Sequence, residues 1–287
     1  MGSLPERAAR RCHHVLNPLH SAHYFAPEAS AEMTALGFEG WSATYFALRS
    51  AAMGPVGPGP VTAAFYVFSP ALVAAHLPGA WRTADPGAVL AARLRAVDAS
   101  LRRLLGADAL ASPEMAEAAG LALRAAEGCA PHGRALYAAH AGLEVPDAAH
   151  LALWHASTLL REHRGDGHVA VLLDLGLDPV EAMVSHTATG KGMTPKWATG
   201  SRGWRRTDWE AAGERLRARG LLTADGELTD AGRALRTELE ERTDRLDGAP
   251  YAHLGEAGVA RLTELAGGFT RTALAAGAFP ADAFGKG

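Results

Sequence analysis

The sequence predicts a mainly α protein, and two observations carry that expectation. Alanine-rich segments with apolar residues at helical spacing alternate with Pro and Gly, and β-branched runs are scarce. Prolines also stand where helices would begin, at Pro27, Pro86, Pro113 and Asp178-Pro179. The chain has 287 residues, 48% of them hydrophobic. That length predicts about two domains and a core large enough to need no staple.

Residues 1–146 read as a helical domain, with helices expected over 6–16, 27–36, 41–52, 61–68, 86–105, 113–127 and 133–141. A first-turn proline is tolerated because the amide it lacks has no intrahelical partner. Residues 51–81 contain no Lys, Arg, Asp or Glu. Pro55, Pro58, Pro60, Pro70 and Pro78 interrupt the run, so buried core is expected there rather than a membrane span. The N-terminus lacks the apolar centre of a signal peptide, and Cys12 and Cys129 have no CxxC or metal-ligand spacing. A cytoplasmic protein is expected.

Residues 147–248 carry a sharper pattern. Leu153, Ala156, Leu160 and His163 form one helical stripe, after which Gly165 is expected to end the helix and Asp166 to cap the next. That short helix, with Val169, Leu172 and Leu173, stops at Gly176, and Asp178-Pro179 opens another with Val180, Met183, Val184 and Thr187 on one face. Thr207 and Glu210 have capping-box spacing ahead of Trp209, Ala212 and Leu216. Leu221-Leu222 and Glu227-Leu228 flank Asp225-Gly226 as a short β-hairpin, and Thr229 can cap a helix with Ala231, Leu235, Leu239 and Leu246. Helix, turn, helix, helix, hairpin, helix is the layout of a winged helix-turn-helix domain. Residues 190–206 exceed the roughly 12–15 residues usual for a structureless connection, which suits either a binding loop or a long connector. In 249–287 a terminal helix over 257–275, with Val259, Leu262, Leu265 and Phe269, would pack back on the body or at a dimer interface.

The segments HSAHYFAPE at 20–28, PVTAAFYVFSP at 60–70 and LREHRGDGH at 160–168 resemble an uncharacterised actinobacterial family of helix-turn-helix proteins. The resemblance extends over nearly the whole chain, including RGW at 202–204, GLL at 220–222 and LTDAG at 228–232. It implies a winged-helix fold and no known activity. The winged part is also similar to regulators of the multiple-antibiotic-resistance type, an analogy of fold.

Three constellations bear on chemistry. The chain is near neutral, at −3, so any hold on nucleic acid must come from a local patch. Between Lys191 and Arg219 lie eight basic residues against three acidic ones, and Lys196, Arg205, Arg206, Arg215 and Arg219 are the expected phosphate contacts. Pairing with Glu210 and Glu214 on a solvated helix face explains the same arginines. The wing, with Asp225, Glu227 and Asp230 and no Lys or Arg over 220–232, repels phosphates.

The second constellation is a set of histidines. His20, His23 and Tyr24, with His163, Asp166 and His168, are the expected ligand-binding residues, in a cleft between the N-terminal helices and the Gly165 turn. His163, His168 and His186 are the candidate metal ligands, and a metal or haem cofactor is conceivable on chemistry alone. The spacing matches no HExxH, zinc-finger or CxxCH template, and helix capping explains Gly165, Asp166 and His163 as well. The third is an aromatic set, Trp41, Tyr45, Phe46, Phe65, Tyr66 and Phe68, which is core or a pocket wall. No G-x-S-x-G, Walker A or GxGxxG signals common hydrolase or nucleotide chemistry.

These residues point to a small-molecule-responsive winged-helix protein of transcription-regulator type, with DNA and a small molecule as partners and a homodimer as the assembly. The rival expectation is an enzyme or ligand-sequestering protein with a His-rich pocket that uses the winged helix only as scaffold.

Overall fold

Short polar residues and prolines start the helices much as their chemistry directs. Asp85 accepts from the Ala88 amide ahead of Pro86, and Ser112 accepts from the Met115 amide ahead of Pro113. Asp178 accepts from the Val180 and Glu181 amides, while Glu181 reaches back to the Asp178 amide to complete a capping box. Thr229 accepts from the Gly232 amide.

A computed structural model describes residues 4–190 and 194–280. Its helices are α1 (Ala8–Ser21), α2 (Pro27–Ala35), α3 (Trp41–Ser50), α4 (Pro58–Phe65), α5 (Pro70–His76), α6 (Ala80–Thr83), α7 (Pro86–Leu105), α8 (Ala107–Leu110) and α9 (Pro113–Ala126). They continue with α10 (Ala135–Ala141), α11 (Ala149–Asp174), α12 (Pro179–Thr187), α13 (Pro195–Arg202), α14 (Arg206–Ala218), α15 (Asp230–Leu246), α16 (Gly248–Leu254) and α17 (Glu256–Ala275). The fold is mainly α, as the periodicity predicts.

Three large cores and one small cluster (Ala126, Tyr137 and Leu159) form among the described residues, and α11 joins the first and third cores. In the first, alanines of α9 such as Ala118 and Ala122 meet Ala152 and Ala156 of α11, with Leu16, Tyr251 and Leu262 filling around them. Small side chains let these helices approach closely. The second core is aromatic: Phe46, Phe65 and Phe68 pack with Met33, Leu77 and Leu136. The third gathers Leu172 of α11, Val180 and Val184 of α12, Leu216 of α14, Leu222, Leu228 and Leu239. α11 begins just after the expected division at residue 146, with Ala152, Ala156 and Leu160 in the first core and Val171 and Leu172 in the third. The terminal helix α17 packs back on α1, α7 and α9.

Several local expectations are corrected. Gly165 does not end a helix and Asp166 caps none, because α11 runs unbroken through both. A glycine inside a helix costs only about 1 kcal/mol relative to alanine. Stopping there would instead strand the backbone polar groups of a buried segment. The expected hairpin is a single antiparallel bridge between Leu222 and Leu228, with no strand among the described residues. The Thr223 amide donates to the Glu227 carbonyl and the Thr229 amide to the Leu221 carbonyl, and the ends of α14 and α15 leave room for no more. Arg205, not Thr207, is the N-cap of α14, its amide donating to Asp208. Within the long connection at 190–206, Pro195–Arg202 form α13, capped by Thr194, and 191–193, Lys191 included, lie outside the described residues.

Candidate functional site

Charge ties α14 to the Gly176 turn and the start of α12. Arg215 of α14 donates to Asp178 and, at 3.0 Å, to Glu181 at the start of α12. Arg219 donates to Glu181 at 3.2 Å and to the Gly176 carbonyl at 2.9 Å. Both arginines therefore sit against the turn. Arg205 and Arg206 lie at the outer end of α14 with side chains 82% and 86% exposed, paired with Asp208 and Glu210. Lys196 is exposed on α13. Of the five basic residues singled out from the sequence, three face outward and two brace the fold.

The segment between α4 and α5 grips this unit from the other side. The Tyr66 hydroxyl donates to the Leu177 carbonyl at 2.6 Å, and the Trp204 indole donates to the Val67 carbonyl at 2.8 Å. The Ser69 amide donates to the Arg202 carbonyl at 2.8 Å. Gly203 ends α13 at φ 72, and a Cβ there would stand 2.6 Å from Leu72 Cβ. Only glycine suits both the backbone and the space.

Behind that grip lies a cavity of about 300 Å3. Its walls come from the aromatic segment and the helices around the turn: Tyr45 and Arg49 of α3, Phe65 and Phe68, Arg161, Gly165, His168 and Leu172 of α11, Ala182, Met183 and His186 of α12, Arg202 of α13, and Arg236 and Glu240 of α15. A neighbouring space of about 190 Å3 shares Tyr45, Arg161 and Arg202 and adds Tyr24 and Trp41. The size matches the lower end of small-molecule sites, roughly 300–1,000 Å3.

Charge concentrates behind its wall, where Arg49 and Arg161 meet Glu162. Glu162 is fully buried and accepts from Arg49 at 3.3 and 3.2 Å and from Arg161 at 2.6 Å. Burial would raise this carboxyl, but Arg161 and Arg49 outweigh it and hold it well below the usual carboxylate range. Arg49 also donates to the Tyr45 hydroxyl and lies 4.3 Å from the Phe65 ring centre.

The expected ligand residues do not converge. His20, His23 and Tyr24 cluster around Trp154, with the His20 and His23 rings 5.4 Å apart. The Thr158 hydroxyl donates to the Trp154 carbonyl, so His20 Nδ1 must donate to Thr158, while His23 Nδ1 donates to the His20 carbonyl. Both Nε2 atoms are thus acceptors, buried and without a hydrogen-bond partner among the described residues. Burial pushes both histidines down, His23 to about 3. On another face His163 donates to Asp247, and Asp166 accepts from the Tyr137 amide, burial raising it to about 6. Of the six residues, His168 alone lines the larger cavity and Tyr24 the smaller.

Among the candidate metal ligands, His168 and His186 line one cavity while His163 turns to Asp247. Among the described residues no group of three or more His, Cys, Asp or Glu is placed to hold a metal ion. No helix of the described residues is long and apolar enough to cross a membrane.

Sequence reasoning missed Arg49 and Arg161, while Tyr45, expected as core or pocket wall, lines both cavities. One signal was present: Arg49 is the single charged residue between Glu39 and Arg82, in a segment expected to be core. A lone charge in an apolar run needs a buried partner.

No curated protein and no solved structure matches this chain. The profile of the Helix-turn-helix family matches residues 9–280, which takes in the helix-turn-helix, the cavity beside it and the helical body together. The chain belongs to the Helix-turn-helix family.

Proposed function

We propose that this protein is a winged-helix DNA-binding regulator whose hold on DNA is set by a small molecule in the cavity. One observation carries the reading. The cavity is walled by α12 and by α13, which leads directly into α14, so an occupant touches the helix-turn-helix itself. Family membership supports the DNA half.

Lys196, Arg205 and Arg206 would meet phosphates, with the N-terminal end of α14 toward the major groove. Arg215 and Arg219 would act indirectly, by fixing α14 against α12. The acidic wing would stand away from the backbone. Two copies would bind two half-sites as a symmetric dimer.

A second reading keeps the helix-turn-helix as scaffold and gives the protein a ligand-sequestering or enzymatic role. It draws on the ion pairs that Arg205, Arg206, Arg215, Arg217 and Arg219 all make with carboxylates of the chain itself. Retardation of a random duplex pool across a salt series separates the two. Phosphate contacts require affinity to fall linearly in logarithmic coordinates as salt rises. Absence of binding even at low salt favours the scaffold reading.

A further inference from the structure

Arg161 stands where three cavities meet. Its Nη1 donates to Glu162, and its remaining guanidinium nitrogens have no hydrogen-bond partner among the described residues. Glu162 is already engaged twice by Arg49. Two guanidiniums thus share one carboxylate, and positive charge is left over beside an apolar wall. The Arg161 side chain is 26% exposed, so its free nitrogens are open to an anion from outside while Glu162 is already engaged. Tyr45 reports the same imbalance. Burial would raise its phenol, but Arg49, Arg202 and Arg161 together outweigh burial and hold it below its ordinary value.

Two more observations shape the occupant. Gly165 sits inside α11 without a positive φ, and a Cβ there would meet only Glu162 Oε2 at 3.7 Å and Arg161 Nη1 at 3.8 Å, both ordinary contacts. Neither backbone nor packing requires glycine, yet the missing side chain leaves space directly beside Arg161. About two turns farther along the same face of α11, His168 meets Thr243, whose hydroxyl donates to the Leu239 carbonyl, so His168 Nδ1 must donate to Thr243. That leaves His168 Nε2 an acceptor with no hydrogen bond from the described residues. Burial, partly opposed by Glu240, pushes His168 down to about 4 and keeps the ring neutral.

We propose that the cavity binds an organic monoanion: a carboxylate on Arg161 beside Gly165, an apolar body against Phe65, Phe68 and Leu172, and a hydrogen-bond donor meeting His168 Nε2. The apolar walls favour a carboxylate on a flat carbon skeleton over a bare inorganic anion. The inference rests on the reading of this cavity as the effector site and gives that site its ligand class.

Isothermal titration calorimetry on the full chain tests it with indole-3-acetate and 4-hydroxybenzoate as probes. Indole-3-acetamide and 4-hydroxybenzamide serve as their neutral counterparts, and inorganic phosphate as the bare anion. At least one acid is expected to bind tenfold or more tightly than its amide, with no competition from phosphate. Arg161→Met is expected to erase the preference for acid over amide. Gly165→Leu is expected to abolish binding with the melting temperature kept or raised, since leucine is the better helix former; Gly165→Ala is the milder variant should leucine disturb folding. Equal binding of acid and amide, displacement by phosphate, or no binding of either acid at millimolar concentration overturns the proposal. An acid that binds without changing DNA affinity leaves it standing and removes the regulatory reading instead.

Discussion

The Tyr66 hydroxyl lies 2.6 Å from the Leu177 carbonyl and donates to it across 111 positions of chain, tying the aromatic core to the turn ahead of α12. Tyr66 itself is held at φ 50, a left-handed conformation uncommon outside glycine. Its neighbour Val67 accepts from Trp204, just ahead of α14. The approaches to α12 and to α14 are therefore both fixed to one short segment, the same segment that walls the cavity. Movement of that segment by a ligand would carry α12 and α14 with it.

Tyr66→Phe removes this tie and leaves the Leu177 carbonyl without its partner. The loss of one hydrogen bond predicts a stability decrease of about 1 kcal/mol. Urea denaturation reads it as a lower midpoint at unchanged slope. An unchanged midpoint would show that the tie contributes nothing to the folded state.

Arg49→Met leaves the fully buried Glu162 with Arg161 alone. Removing one partner of a buried pair typically costs about 3–5 kcal/mol, because the remaining charge is uncompensated. Replacing both, as Arg49→Met with Glu162→Gln, is expected to recover much of that loss. Equal stability of the single and double variants would refute the pairing as the cause.

Stability is expected to fall as the medium is acidified. Burial depresses His23 and His140 to about 3, so both stay neutral in the folded chain. Unfolded histidines bind protons below about 6.5, and the unfolded state then holds more protons than the folded one. Their contribution is therefore complete above about pH 6.5 and is lost as pH falls from there toward about 3. Each of the two contributes about 1.4 kcal/mol per pH unit within that window. Denaturation midpoints measured between pH 7.5 and pH 5 should decline steadily, and a flat profile would contradict the burial of neutral imidazoles.

Arg206→Ala and Arg215→Ala should fail in different ways. The first removes an exposed charge and is expected to lower the salt slope of DNA binding by about one, with little change in melting. The second breaks the contacts to Asp178 and Glu181 and is expected to lower the melting temperature. Identical effects of the two would erase the distinction between phosphate contact and internal brace.

Where a signal is local, the sequence and the structure agree. Asp178, Thr229 and the prolines of α7 and α9 mark helix starts because capping involves residues only two or three positions apart. The order of helices around the turn at Gly176 was legible for the same reason. Gly165 misled because a glycine's preference to end a helix is small against the burial that holds α11 straight. The site was mostly hidden. Arg49 and Glu162 meet across 113 positions, and no local pattern encodes that distance. The LREHRGDGH segment drew notice as a turn, whereas on one continuous helix its residues point in different directions: His163 toward Asp247, Arg161 and His168 into the cavity.

The most direct test of the central claim is the dissociation constant for a duplex selected from random sequence, at fixed salt, with and without saturating indole-3-acetate or 4-hydroxybenzoate. Coupling between sites typically amounts to about 1–3 kcal/mol, so a change of roughly fivefold or more is predicted for the natural chain and none for Gly165→Leu. A constant that either acid leaves unchanged in the natural chain, or shifts equally in both proteins, would contradict control of the helix-turn-helix through this cavity.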